Sequence, residues 1–238
     1  MNVLVLMGGG DVGGAKTHIM SLNKELSRNH RIKLISFREG PFPAEARAEG
    51  IDVEVIATKN IWKARRRLVA IADEMRPDII HCHGAKANMM GILLRAKRRI
   101  PVMTTVHSDY RLDYLGSPIK QFSFGTVNSI ALRFMDFYQP VADRMARTLV
   151  ERGFDPERMC TIYNGMDLNE PVKKFDRTAY CRERYNFSVT DDMVLCGIAA
   201  RLTAVKDITT TLRAFAIAVK KQPRLRLFVA GEGEDKAN

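Results

Sequence analysis

Aliphatic and β-branched residues fall in short runs through the first two thirds of the chain, at residues 3–7, 32–37, 53–56, 79–83, 102–106, 138–141 and 160–163. Runs of this length without polar alternation predict strands buried on both faces. Between them the apolar positions switch to helical spacing. Ile19, Leu22 and Leu26 form one such stripe, with Asn29 as its stop. Further helices are expected over 61–75, 86–97, 123–135 and 142–151, the last closed by Gly153. Strand and helix in regular alternation mean an α/β fold, a parallel sheet covered on both faces. Right-handed crossovers then make the layer doubly wound and Rossmann-like.

The pattern pauses at "NGMDLNEPV", residues 164–172, where a turn dipeptide and a proline interrupt it. We therefore place an N-terminal Rossmann-like domain over 1–165 and a linker with a lead-in helix over 166–190, the helix itself at 177–185. A second Rossmann-like domain starts within 191–238, with a strand at 193–199, a helix at 208–221 and a strand at 225–230. Two strands and one main helix supply little core, so this second domain reads as incomplete.

Composition narrows the class. Of 238 residues, 46% are hydrophobic and 27% charged, the ordinary mix of a globular protein. No apolar run approaches about 20 residues, and Met1 leads straight into a core strand, so a cytoplasmic protein is expected. Cys82, Cys160, Cys181 and Cys196 stand singly and read as reduced thiols, mostly packing. The formal net charge of +11 gathers partly in "KARRR" at 63–67 and "RAKRR" at 95–99. Such runs either face solvent or meet an anionic partner: lipid headgroups, phosphorylated substrates or nucleic acid. Nucleic acid is disfavoured, because no aromatic residue is interleaved in either run to stack a base.

Four segments carry candidate chemistry. "GGGDVGG" at 8–14 follows the first strand and opens a helix. A glycine turn there lets backbone amides approach a ligand, and the helix N-terminus favours a phosphate or a polarised hydroxyl. Gly8, Gly10 and Gly13 can be matched to a dinucleotide fingerprint, but no acidic residue closes the second strand to hold a ribose, and Glu39 comes too late. "PDIIHCHG" at 77–84 puts His81 and His83 on one face of a strand. They can share a metal or hydrogen-bond at the strand end; no third ligand is suitably spaced, so the second role is preferred. "VMTTVHSDY" at 102–110 delivers His107 to the sheet edge that carries the glycines, either to bind a substrate hydroxyl or simply to pack. "AARLTAVKD" at 199–207 places Arg201 just past a strand and Lys206 at a helix entry, either a clamp suited to a diphosphate or a surface pair of cations with no ligand.

In order and spacing these segments resemble the glycosyltransferases of the GT-B fold, family 4 type. The resemblance is carried by "GGAKTHIMSLNKELS", "RPDIIHCHG", "TTVHSDY", "MCTIYNGMD", "IAARLTAVKDITTTLRAF" and "LRLFVAGEGE", and it spans nearly the whole chain. It implies transfer of a sugar from a nucleoside diphosphate sugar, held between two Rossmann-like domains, to an acceptor hydroxyl. Retained configuration and no metal or other cofactor are implied with it. By position, Gly13 and Gly14 would line the cleft near the acceptor and the donor phosphates, and His107 would contact the transferred sugar. Arg201 and Lys206 would hold the donor diphosphate and neutralise the leaving group. Asn164 and Gly165 would form the interdomain crossing, and Gly231 and Gly233 the edge of the nucleotide pocket.

The "GGAKTH" form points to bacterial surface polysaccharide or glycolipid synthesis. The basic runs then suggest docking on the anionic inner face of the cell membrane, where a carbohydrate or lipid-linked acceptor is found. Family members carry a spaced pair of glutamates further along the second domain; Glu232 and Glu234 lack that spacing, so this chain alone is expected to be inactive or weak. Two other readings stay open: a non-catalytic Rossmann-like binding module, and a nicotinamide-dependent oxidoreductase, disfavoured by the missing ribose-binding acid.

Overall fold

Val3, Leu4, Val5, Leu6 and Met7 are all buried, as an unbroken apolar run must be when helices cover both sides of a strand. The structure is a computed structural model and describes residues 1–8, 14–111, 125–165 and 174–237. It divides into two units, Met1–Met166 and Asp167–Asn238. The first holds β1 (Asn2–Met7), α1 (Gly14–Leu26), β2 (Arg31–Ser36), α2 (Pro41–Ala48), β3 (Val53–Val55) and α3 (Ile61–Met75). It continues with β4 (Ile79–His83), α4 (Ala85–Arg98), β5 (Val102–Val106), α5 (Thr126–Arg133), β6 (Phe137–Pro140) and α6 (Asp143–Glu151). All six strands pair in parallel, in the order β3-β2-β1-β4-β5-β6. This is the doubly wound order of dinucleotide-binding layers.

Alternation along the strands splits the core in two. Val3, Val5 and Met7 pack with Ile19 of α1 and Phe42 and Ala46 of α2. Leu4, Leu6, Ile80 and Cys82 pack on the other side with Leu68 of α3, Leu94 of α4 and Leu132 of α5. α3 opens on Asn60, whose side chain accepts from the amides of Trp62 and Lys63, and closes on Arg76 in the left-handed region. Gly153 has φ 78 and donates its N–H to Val150, the glycine-terminated helix end read from the sequence.

Three local expectations need correction. Residues 160–163 do not form a strand: the amides of Cys160 and Ile162 donate to Tyr138 and Pro140 at 3.1 and 3.0 Å, one-sidedly along β6, with a single bridge at Met159. α2 was not expected; Pro41 starts it at a position where a missing N–H costs nothing, and Phe42 is then fully buried. The fully buried residues of α1 are His18, Ile19 and Asn23, whereas Leu22 and Leu26 of the expected stripe are only half-buried, Leu26 packing against the same core; Asn23 donates its side-chain N–H to the Ile19 carbonyl at 2.7 Å. Of the cysteines, Cys82 and Cys181 are buried and packing, whereas Cys160 is exposed; all four are free.

The second unit holds α7 (Arg177–Tyr185), β7 (Val194–Ala199), α8 (Ile208–Lys221) and β8 (Leu225–Ala230), the two strands pairing in parallel. Its burial is thin. Cys181, Val189, Leu202 and Ile208 are buried, but Leu212, Ile217 and Val229 are exposed.

Candidate functional site

Strand order reverses between β1 and β4, and in such sheets a crevice opens where the chain leaves neighbouring strands toward opposite faces. There Gly8 donates its N–H to the His83 carbonyl at 2.9 Å. A Cβ on Gly8 would lie 3.1 Å from the Ala87 nitrogen and 3.3 Å from that of Lys86, so only glycine lets β1 end so close to the first turn of α4. Gly14 opens α1 with nothing within 4 Å of where a Cβ would stand. Gly10 and Gly13 lie outside the described residues.

His107 is not a lone strand-end histidine. Of the five histidines, His18, His81, His83 and His107 converge on the face of the sheet that α1 covers. His81 and His83 do share a face, with ring centroids 4.3 Å apart. His81 Nε2 meets Thr105 Oγ1 at 2.7 Å, and His83 Nδ1 meets His107 Nε2 at 3.2 Å, so each makes a strand-end hydrogen bond. His18 stands 5.1 Å from His107, ring to ring. Its place on the second turn of a helix gave no sequence signal; the cluster exists only once α1 packs on β4. Among the described residues no group of His, Cys, Asp or Glu has a metal-holding arrangement.

Burial keeps these rings neutral. Desolvation, reinforced by the other imidazoles, pushes His81 down to about 3 and His83 well below its ordinary value. Desolvation and the nearby His18 bring His107 to about 4, and burial lowers His18 itself against a hydrogen bond that its ring donates to Asn164, which raises it. Asn164, expected at an interdomain crossing, is thus fastened to this edge. With Nε2 engaged by His83, His107 has Nδ1 left over, buried and without a hydrogen-bond partner. It can exchange one neutral hydrogen bond with a ligand hydroxyl, which suits a sugar better than an anion.

The rest of "VHSDY" is structural. Asp109 takes two hydrogen bonds from Arg152, at 2.6 and 2.7 Å, and Arg152 lies over the Tyr110 ring. On the opposite face of β5, Thr104 donates to Asn88 at 2.8 Å and Asn88 donates to Asn128 at 2.8 Å, a buried chain that ties α4 and α5 to the sheet. Next to it, Gly84, Thr105 and His107 border a small cavity of about 60 Å³.

In the second unit, Arg201 and Lys206 are both exposed just beyond the carboxyl end of β7. Lys206 lies in a short 3-10 turn, and Asp207 then caps α8 from the left-handed region, its carboxylate accepting from Thr210 at 3.3 Å. Gly231 and Gly233 have a backbone reason of their own. A Cβ on either would collide with the carbonyl oxygen of Ala200 or Leu202, because the chain after β8 runs against the chain after β7. Leu202 N–H donates to Glu232 at 2.9 Å and locks that pairing.

The family model for Glycosyltransferase Family 4 matches residues 12–170, well over half of the chain. The chain belongs to Glycosyltransferase Family 4. It is 23% identical over 235 residues to the O-antigen biosynthesis glycosyltransferase WclY of Escherichia coli, covering 94% of this chain and 60% of the relative. It is 22% identical over 256 residues to the alpha-monoglucosyldiacylglycerol synthase of Acholeplasma laidlawii, at 94% and 61% coverage. This family 4 chain therefore spans about three fifths of the length of these relatives. Among solved structures it resembles HepE of Anabaena in complex with UDP and glucose, with a TM-score of 0.76 at 20% identity, over 97% of this chain and 61% of that one. It also resembles the lipopolysaccharide outer core galactosyltransferase WaaB, with a TM-score of 0.63 at 13% identity, over 97% and 68%. The fold is α/β of the GT-B type.

Proposed function

We propose that the chain is the acceptor-side domain and the start of the donor-side domain of a retaining glycosyltransferase of surface polysaccharide or glycolipid synthesis. The observation that carries this is the family match joined to the polar edge of the first sheet, where a neutral His107 has one ring nitrogen free for a sugar hydroxyl. HepE, with UDP and glucose bound, supports a uridine nucleotide as the donor's carrier. In the reaction the bond from the anomeric carbon to the diphosphate breaks and a bond to the acceptor oxygen forms on the same face. The acceptor's proton leaves to the departing phosphate. Arg201 and Lys206 neutralise the charge that gathers there, a task a metal ion performs elsewhere. Catalytic roles thus fall to His107, Arg201 and Lys206, and Gly13, Gly14, Gly231 and Gly233 border the ligand.

The proposal also takes the enzyme to work in the cytoplasm, at the anionic inner face of the membrane; no described helix is long and apolar enough to cross it. Partners are then the nucleotide-sugar and a carbohydrate or lipid-linked acceptor. Calorimetric titration with UDP and with NAD tests the reading. UDP should bind, NAD should not, and Arg201→Ala and Lys206→Ala should each weaken UDP by about tenfold or more, the usual worth of a charge-assisted hydrogen bond. Preference for NAD, or indifference to both substitutions, would sink it.

A further inference from the structure

A second cavity lies at the same edge of the first sheet, across the first turn of α4 from His107. Gly84 borders the small cavity beside His107, and the next residue, Ala85, borders the second. This one is much larger, about 410 Å³, within the usual range of ligand sites. Its floor is Ala64 and Met90, both buried, and its walls are Ile61, Met89 and Val127. Methionines of this kind adapt to flexible apolar ligands. Among the described residues no carboxylate and no aromatic ring lines it, so these residues offer a sugar few hydrogen bonds and a base no stacking partner.

Two cations mark the rim, Lys59 and Lys86. Lys59 is exposed and has no hydrogen-bond or ion-pair partner among the described residues. Lys86 is half-buried, with Nζ donating to the Phe37 carbonyl at 3.2 Å and lying over the Phe37 ring, but among the described residues no carboxylate answers its charge. Burial already penalises that charge, so an anion arriving here relieves it. α4 starts at this rim without a side-chain cap. Trp62, next to Ile61 in sequence, and Ile130, one turn from Val127 on α5, are both more than half exposed.

We propose that this pocket holds the hydrocarbon chain of a phosphate-headed lipid, with Lys59 and Lys86 on the phosphate. The proposal rests on the glycosyltransferase reading and deepens it by naming the acceptor's class. Its test needs no donor and no turnover, so it can fail while UDP binding stands.

The test is calorimetry on the whole chain with octyl phosphate and decyl phosphate below their micellar concentrations, alongside inorganic phosphate and decyl maltoside. Decyl phosphate should bind about fifteenfold more tightly than octyl phosphate, two methylenes at about fourfold each. Inorganic phosphate should show no binding, and decyl maltoside should bind at least about tenfold more weakly than decyl phosphate. Val127→Asp, in the wall, should weaken decyl phosphate by about tenfold or more, and Ile61→Asp, in the facing wall, should do the same. Ile130→Asp, on the same helix as Val127 but outside the pocket, should leave the affinity within about twofold. Equal affinity for the two chain lengths, a maltoside that binds as well as the phosphate, or equal effects of Val127→Asp and Ile130→Asp would each overturn the assignment, as would no binding of decyl phosphate.

Discussion

The carboxyl edges of the two sheets carry polar groups under opposite conditions. In the first unit, four imidazoles sit beside a sheet buried on both faces, and desolvation holds them neutral. In the second, Arg201 and Lys206 stand in solvent over a two-stranded sheet with few buried side chains. The first edge can fix hydrogen-bond direction, because its rings are buried and packed against one another. The second can only supply charge, which water and salt weaken until a ligand excludes them. Altering the first edge therefore disturbs the fold as well as the site, whereas altering the exposed Arg201 or Lys206 disturbs ligand binding alone.

Acid should break this symmetry most strongly. All five histidines lie in the first unit and none in the second. A ring whose pKa is lowered by folding binds fewer protons in the folded than in the unfolded chain. Its stabilising contribution is complete above the unfolded value of about 6.5 and is lost as pH falls toward the folded value, about 4 for His107 and about 3 for His81. Together with His83, three such rings cost roughly 4 kcal/mol for each pH unit below about 6, against a total stability of about 5–15 kcal/mol for an ordinary domain. The first unit should unfold cooperatively between about pH 6 and pH 4. Trp62, the single tryptophan, reports that unit by its fluorescence. A signal flat down to pH 4 would show that the rings are not buried neutral, and His107→Gln should move the midpoint downward.

How much of this could be read beforehand follows from the range of each interaction. β4, α3, α8 and β8 were read to the residue, since apolar runs and helical stripes are local signals. α2 went unread because it is only eight residues long and opens on Pro41, which merely starts it. Residues 160–163 look like a strand because β-branching and a neighbouring strand are both present, but only one side of that segment finds a partner. Arg201 and Lys206 stand where one motif put them in the chain, just past β7 and in the turn before α8. The histidine cluster was not, because His18 joins it from a helix more than sixty residues away in sequence, and only tertiary packing makes that contact.

The next sharpest contrast is between equivalent apolar deletions. Leu94 of α4 is completely buried, so Leu94→Ala should cost about 2–5 kcal/mol in urea unfolding followed at Trp62. Leu212 of α8 is half exposed, and Leu212→Ala should stay within about 0.5 kcal/mol in the second unit. A large loss at Leu212 would mean that the second unit buries it in solution, against something beyond its own two strands.

The smallest effect concerns how each unit starts the helix beside its site. α4 begins after Gly84 with no side-chain cap and relies on the packing of Ala87 and Met90. α8 has little packing and relies on Asp207, which both caps Thr210 and occupies the left-handed region with φ 46. Asparagine keeps both properties, glycine keeps the backbone freedom but loses the cap, and alanine loses both. Hydrogen exchange at the Thr210 amide should therefore rank the variants: Asp207→Asn near the parent, Asp207→Gly slightly faster, and Asp207→Ala faster by an opening free energy of about 1–2 kcal/mol. Lys206 precedes this cap directly, so UDP affinity should fall in the same order. Should Asp207→Ala exchange no faster than Asp207→Gly, left-handed strain plays no part in holding Lys206, and the cap alone sets the entry of α8.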